Sequence, residues 1–129
     1  MLRQAATGTR LVAAALTAAT ALSLGACGRG GPVTAVRGGH VAITLDDYSI
    51  TPQRLRASPG PIAFDVVNRG AIGHTFHVLR GSREVVGGAT LLPGARARES
   101  GTFTRGEYKL VCILGNHEDL GMYGTLVVR

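Results

Sequence analysis

The chain has 129 residues, with 14 Lys or Arg against 8 Asp or Glu, 19 glycines, 5 prolines, 2 cysteines and no tryptophan. That length is expected to hold one small domain rather than two. The net charge of +6 falls to +4 once Arg3 and Arg10 of the leader are set aside, and the remaining bases are scattered with no aromatic platform among them, which excludes a nucleic-acid footprint and leaves a solvated basic surface working near anionic lipid or an acidic partner.

Residues 1–10 carry two arginines and no acid, and residues 11–24 are almost wholly apolar and rich in Ala and Leu. With Leu24-Gly25-Ala26-Cys27 following, this is the layout of a secretory signal peptide. The apolar run is shorter than the roughly 20 residues a membrane-spanning helix needs. The tetrapeptide resembles a bacterial lipobox, whose cysteine is acylated through its sulfur and becomes the new N-terminus. On that resemblance residues 1–26 are a lipoprotein signal peptide, and Cys27 anchors an exported protein to the outer face of the cytoplasmic membrane, at the cell surface or in the periplasm. Plain secretion, with Cys27 discarded or left free, is the alternative. Residues 27–39 read as the lipidated cysteine and a flexible Gly-rich tether, with room for a first short strand around 33–36, and residues 40–129 as the folded domain.

From His40 onward, Val41, Ile43 and Leu45 share one face of a half-buried strand, which Asp46-Asp47 interrupts before an extended run through Tyr48-Ser49-Ile50-Thr51-Pro52. His40, beside two glycines, reads as a solvated surface group. Residues 55–57 and 62–68 read as strands, with Ile62, Phe64 and Val66 facing one way. Asn68 and Gly70 turn the chain, and the next strand is expected to begin at or near His74, with Phe76 and Val78 of the same parity entering the core. His74 and His77 spell H-x-x-H, but residues three apart on a strand point to opposite faces, so the two do not close on one ion. His74, at the loop edge, is the candidate ligand, and His77 is expected on the outer surface. Residues 84–89 fit either a weak strand or an irregular loop. A turn at Pro93-Gly94 and a polar strand over 96–104, with Phe103 inward, lead to the penultimate strand. There Tyr108, Leu110 and Cys112 share a face that Leu126 and Val128 continue in the last strand. Short strands punctuated by Gly and Pro predict an all-β sandwich.

The chemistry is concentrated in the C-terminal stretch EYKLVCILGNHEDLGMYGTLVVR, where Cys112, His117 and Met122 are spaced C-x4-H-x4-M. A thiolate, an imidazole and a weak thioether suit copper, and a second imidazole from His74 completes a His2Cys set with an axial Met. Zinc is disfavoured, because a thioether is a poor ligand for it.

On these residues the chain resembles the cupredoxins, the small blue copper proteins of the plastocyanin and auracyanin kind, from about residue 40 to 129. Asn68-x-Gly70-x3-His74-x-Phe76 is similar to the family's N-x-G-x3-H-N-F segment, whose histidine binds copper. Tyr108-x-Leu110-x-Cys112-x4-His117-x3-Gly121-Met122-x-Gly124-x-Leu126 is similar to its C-terminal ligand loop. The resemblance implies a Greek-key β-sandwich of about seven to eight strands and one mononuclear type 1 copper held by His74, Cys112, His117 and Met122. It implies a monomer that carries single electrons between redox proteins and is not an enzyme. It also implies that His117 lies near the surface in an apolar patch with Ile72, Leu114, Leu120 and Met122, beside Glu118 and Asp119, as the face a redox partner touches. Two departures bear on tuning. Gly115-Asn116 stands where the family has Pro-Gly, and Asn116 is expected to keep that glycine's positive φ. Thr75 replaces an Asn that ties the two ligand segments together, a tie a hydroxyl is expected to make only in part. A copper carrier or storage protein is the alternative use of the same ligands, whereas a copper enzyme needs further centres and more histidines than the 4 present.

Overall fold

The computed structural model describes residues 31–129. The signal-peptide, lipobox and Cys27 readings lie outside the described residues. The strands form where apolar residues alternate. In β2 (His40–Asp46) the inward residues are Val41, Ile43 and Leu45, and in β5 (Gly60–Asn68) they are Ile62, Phe64, Val66 and Asn68. These two strands run parallel with Val41 opposite Phe64 and Ile43 opposite Val66, so their apolar rows fall on one face of the sheet. With β3 (Ser49–Thr51) and β8 (Arg96–Phe103) they make a four-stranded sheet in the order β3-β2-β5-β8.

The facing sheet has six strands. They are β1 (Val33–Ala35), β4 (Arg54–Ala57), β6 (His77–Arg80), β7 (Arg83–Gly87), β9 (Gly106–Val111) and β10 (Tyr123–Val128), in the order β1-β4-β10-β9-β6-β7. Leu126 of β10 lies opposite Tyr108 of β9, and both are buried. Between the sheets Phe64 packs against Phe76 and Phe103, with ring centroids 5.2 and 5.9 Å apart, and Phe103 meets Tyr108 edge-on at 5.0 Å. The Tyr108 hydroxyl donates to the Thr104 carbonyl at 2.8 Å and fixes the turn before β9.

The all-β sandwich is the expected class, with ten strands among the described residues against the seven to eight expected. Two three-residue strands account for the excess: β1 and β3 are short edge strands that hydrogen-bond to β4 and β2. The first sits inside the stretch read as tether, and Val36, just after it, packs against the core and donates its N–H to Arg56 O at 2.8 Å. The ambiguous stretch at 84–89 is mostly β7. The expected strand start at His74 is displaced to His77, because residues 74–76 leave the sheet and the His74 backbone pairs instead with Leu91. Among the described residues no helix is long and apolar enough to cross a membrane.

Candidate metal centre

Three loops at one end of the sandwich converge on a single point. The first follows β5. Asn68, fully buried, donates from Nδ2 to Ile72 O and Leu91 O, both at 2.8 Å, and accepts from the Gly70 N–H at 2.9 Å. One amide side chain therefore organises the whole turn that delivers His74. The two-way backbone bridge between His74 and Leu91, at 3.1 and 2.8 Å, then fixes where the imidazole starts. His74 is itself fully buried.

The second loop joins β9 to β10. Cys112 continues the inward row of Tyr108 and Leu110, and its N–H donates to Met122 O at 3.1 Å. Cys112 and Met122 thus extend the antiparallel pairing one step beyond Val111 and Tyr123, and residues opposite each other in such a pair share a face. Both are fully buried on the core side. Between them lies the one-turn helix α1 (His117–Leu120), whose first residue is the second imidazole. The turn into α1 is made by Gly115 at φ +48°, while Asn116 sits at φ −104°. The expectation of a left-handed Asn116 is therefore corrected: a glycine one position earlier takes the conformation that costs it nothing.

His74 Nδ1 and His117 Nδ1 are 3.2 Å apart, and Cys112 Sγ is 3.5 Å from His117 Nδ1. The three donor atoms all lie within 4.8 Å of one another. A metal at about 2.0 Å from nitrogen and 2.3 Å from sulfur, in a trigonal plane, spaces its donors by about 3.5–3.7 Å, so the set closes on one small ion. The donor types, two imidazoles and a thiolate with a thioether on the same face, fit a type 1 copper site.

Around the donors a further layer of contacts is in place. Thr75 donates its backbone N–H to Cys112 Sγ at 3.3 Å and its hydroxyl to the same sulfur at 3.6 Å, and that hydroxyl oxygen accepts the Ile113 N–H at 3.1 Å. The hydroxyl thus links the His74 segment to Cys112 and Ile113 of the other. The third loop is the β2–β3 turn, Asp47-Tyr48. Asp47 Oδ1 lies 2.6 Å from His74 Nε2, and the Tyr48 ring meets the His117 ring edge-on with centroids 4.9 Å apart. The Ala71 N–H, donating to Asp47 Oδ2 at 2.8 Å, and then the His74 hydrogen bond hold the Asp47 carboxyl below the usual carboxylate range, against the opposing effect of desolvation. Neither residue was found from the sequence. An acidic pair at the end of an apolar strand is the only signal, and ordinary surface turns carry the same one.

His74, Cys112 and His117 are brought together, and Met122 is buried beside them. His77 is not part of the cluster, as the parity argument requires, but it is not a surface residue either. It is only 6% exposed. The Glu84 side chain folds over the bare backbone of Gly87, and its Oε2 accepts from His77 Nδ1 at 2.6 Å, closing the outer face of the sheet there. Of the expected patch, Ile72 and Leu120 are exposed, Leu114 is half-buried against the core and Met122 contributes no surface. Ile113 and Tyr48 are further exposed large side chains on these loops, and Tyr123 is exposed at the start of β10. Asp119 is exposed, whereas Glu118 is paired with Lys109 and presents a compensated charge.

No protein-family model matches the chain, and no curated protein matches it. Solved structures do. Reduced auracyanin from Roseiflexus castenholzii superposes with a TM-score of 0.66 at 16% identity, over 70% of this chain and 97% of that one. Auracyanin A, a "blue" copper protein from Chloroflexus aurantiacus, gives 0.59 at 16% identity, over 70% of this chain and 100% of that one. A multicopper oxidase gives 0.58 at 21% identity over 70% of this chain, but only 41% of its own length is covered. At these identities the likeness is one of fold, and the chain is a cupredoxin-fold β-sandwich whose His74, Cys112 and His117 form a donor cluster suited to type 1 copper.

Proposed function

We propose that this protein is a blue copper protein that carries single electrons between redox partners outside the cytoplasm. The observation that carries the reading is the convergence of His74 Nδ1, Cys112 Sγ and His117 Nδ1 on one point, with Met122 buried beside them. Copper bound there supplies a one-electron Cu(I)/Cu(II) couple. The chain's contribution is to hold the donors before and after transfer. His74 is anchored through Leu91, Cys112 receives two bonds from Thr75, and the β9–β10 pairing fixes Met122, so little has to move. Full burial of His74, Cys112 and Met122, with only His117 partly exposed, favours electron transfer over a carrier role that needs ready metal exchange.

The partner face of this reading is the apolar rim around His117, with Ile72, Leu120 and Ile113 exposed and Leu114 behind them. Asp119 marks its charged edge, since Glu118 is occupied by Lys109. Membrane tethering through Cys27 belongs to the same proposal. With β1 starting at Val33, residues 28–32 alone separate that cysteine from the domain, a reach of at most about 22 Å. Such a tether keeps the domain near the bilayer.

The test is addition of Cu(II) to the purified protein. An intense sulfur-to-copper charge-transfer band and reversible one-electron cycling are expected, and Cys112→Ser removes the band. A colourless protein, or one that gives up Cu(I) readily to a competing chelator, refutes the electron-carrier reading.

A further inference from the structure

The sequence assigns no role to the turn between β2 and β3, yet it braces both imidazoles of the donor cluster. Asp47 reaches His74 and Tyr48 lies against His117. The Asp47 contact is built. One carboxylate oxygen takes His74 Nε2 at 2.6 Å and the other takes the Ala71 N–H at 2.8 Å, so the group is held at both oxygens. Space for it exists because residue 70 is glycine. A Cβ there would overlap Asp47 Oδ1 and come within 2.8 Å of His74 Nε2.

For a neutral imidazole the contact has one solution. A carboxylate accepts and does not donate, so a neutral His74 carries its proton on Nε2 and presents the Nδ1 lone pair to Cys112 Sγ and His117 Nδ1. The opposite tautomer would set two acceptors 2.6 Å apart in a place where the fully buried ring has no water to turn to. A charged partner behind a ligating imidazole also makes that imidazole a stronger donor.

We infer that Asp47 is the positioning residue of His74, that it fixes the tautomer in which Nδ1 is free for metal, and that its charge favours Cu(II) over Cu(I). The second half rests on the copper reading above; the first does not. Because the Asp47 side chain is 27% exposed, water screens part of its charge, and the effect on the copper couple is moderate.

Two variants and two readouts test this. Asp47→Asn keeps an oxygen for Nε2 and removes the charge. The preference for Cu(II) over Cu(I) is expected to drop about tenfold, a rise in reduction potential of about 59 mV. Asp47→Ala removes the acceptor as well, and copper affinity is expected to fall about 10- to 100-fold. Nitrogen NMR of the metal-free protein reads the tautomer without copper. Wild type and Asp47→Asn should hold the proton on Nε2, and Asp47→Ala should populate both forms. A wild-type His74 protonated on Nδ1 overturns the positioning role. An unchanged potential in Asp47→Asn overturns the charge effect. A wild type that shows the Nε2 tautomer but no sulfur-to-copper band supports the positioning role and refutes the copper reading instead.

Discussion

Thr75 shows how much one side chain contributes when it touches two ligand segments. Its hydroxyl oxygen accepts the Ile113 N–H and its proton points at the Cys112 sulfur. Thr75→Val keeps the shape and removes both bonds. The lost backbone partner should cost about 0.5–1.5 kcal/mol, seen as a lower melting temperature of the metal-free protein. Removing a donor from the thiolate leaves more electron density on sulfur, which favours the oxidised metal, so the reduction potential should fall. A fall in stability with no change in potential would show that only the Ile113 bond matters. At this scale Cys112, His117 and Met122 stood out as candidate donors because Cys, His and Met are rare, chemically distinct and nearly adjacent in the chain, and His74 stood out by its place at a loop edge. Asp47 did not, since it lies 27 residues from His74 and nothing in a strand pattern records which acid turns inward. His77 shows the reverse. Parity assigned its face, but which neighbour covers that face depends on Glu84 folding across Gly87.

Among the elements, the β5–β6 loop stands out because its order comes from a side chain instead of a ladder. Asn68→Ala would leave the Ile72 carbonyl and the Gly70 N–H without their partner, while the Leu91 carbonyl would lose one of two and keep the His74 N–H. Orphaned groups cost roughly 1–3 kcal/mol each where they stay buried, so the loss should be among the largest of any polar substitution in the domain. Copper binding should weaken with it, because the turn that delivers His74 loosens; equilibrium unfolding and a copper titration check both. The sequence marked Asn68 as a strand end, a turn residue and part of the segment that resembles the cupredoxin one, but assigned its side chain no hydrogen bonds. Its inward direction follows from the register of β5, where it continues the row of Phe64 and Val66. The outer face of the same strand offers a contrast. Asp65 lies directly opposite Arg98 of β8 with 2.7 Å between Oδ1 and Nε, and the Arg98 hydrogen bond holds the Asp65 carboxyl below its usual range. A depressed carboxyl stabilises the fold above the unfolded pKa of about 3.9 and loses that contribution as pH falls through its folded value. Asp65→Asn should therefore lower the melting temperature slightly at neutral pH, and the difference should vanish in strong acid.

For the molecule as a whole, the sandwich was legible from strand alternation, and its first edge only as room for a short strand around 33–36 within a stretch read as tether. Residues 33–35 are too few to show a period, and the glycines on either side suggest a linker. Their strand exists because β4 has an unpaired edge: Val33, Thr34 and Ala35 run parallel to Arg54, Leu55 and Arg56, and Val36 covers the core beyond them. Covering a sheet edge removes a row of unpaired backbone groups. A chain beginning at residue 40 should thus unfold at a lower temperature than one beginning at residue 31. For a domain of this size each kcal/mol lost shifts the midpoint by roughly 4–8 °C, so even a weak contribution is measurable. The metal centre should not register the change. Its donors come from the loops after β5 and β9, braced by the turn after β2, whereas β1 lies at the edge of the six-stranded sheet and, among the described residues, pairs with β4. Both chains should give the same sulfur-to-copper band at room temperature and differ only in how far they can be heated before it is lost. Equal midpoints would show that β1 belongs energetically to the tether, and the reach available to a lipid-anchored domain would be longer by the whole length of that strand.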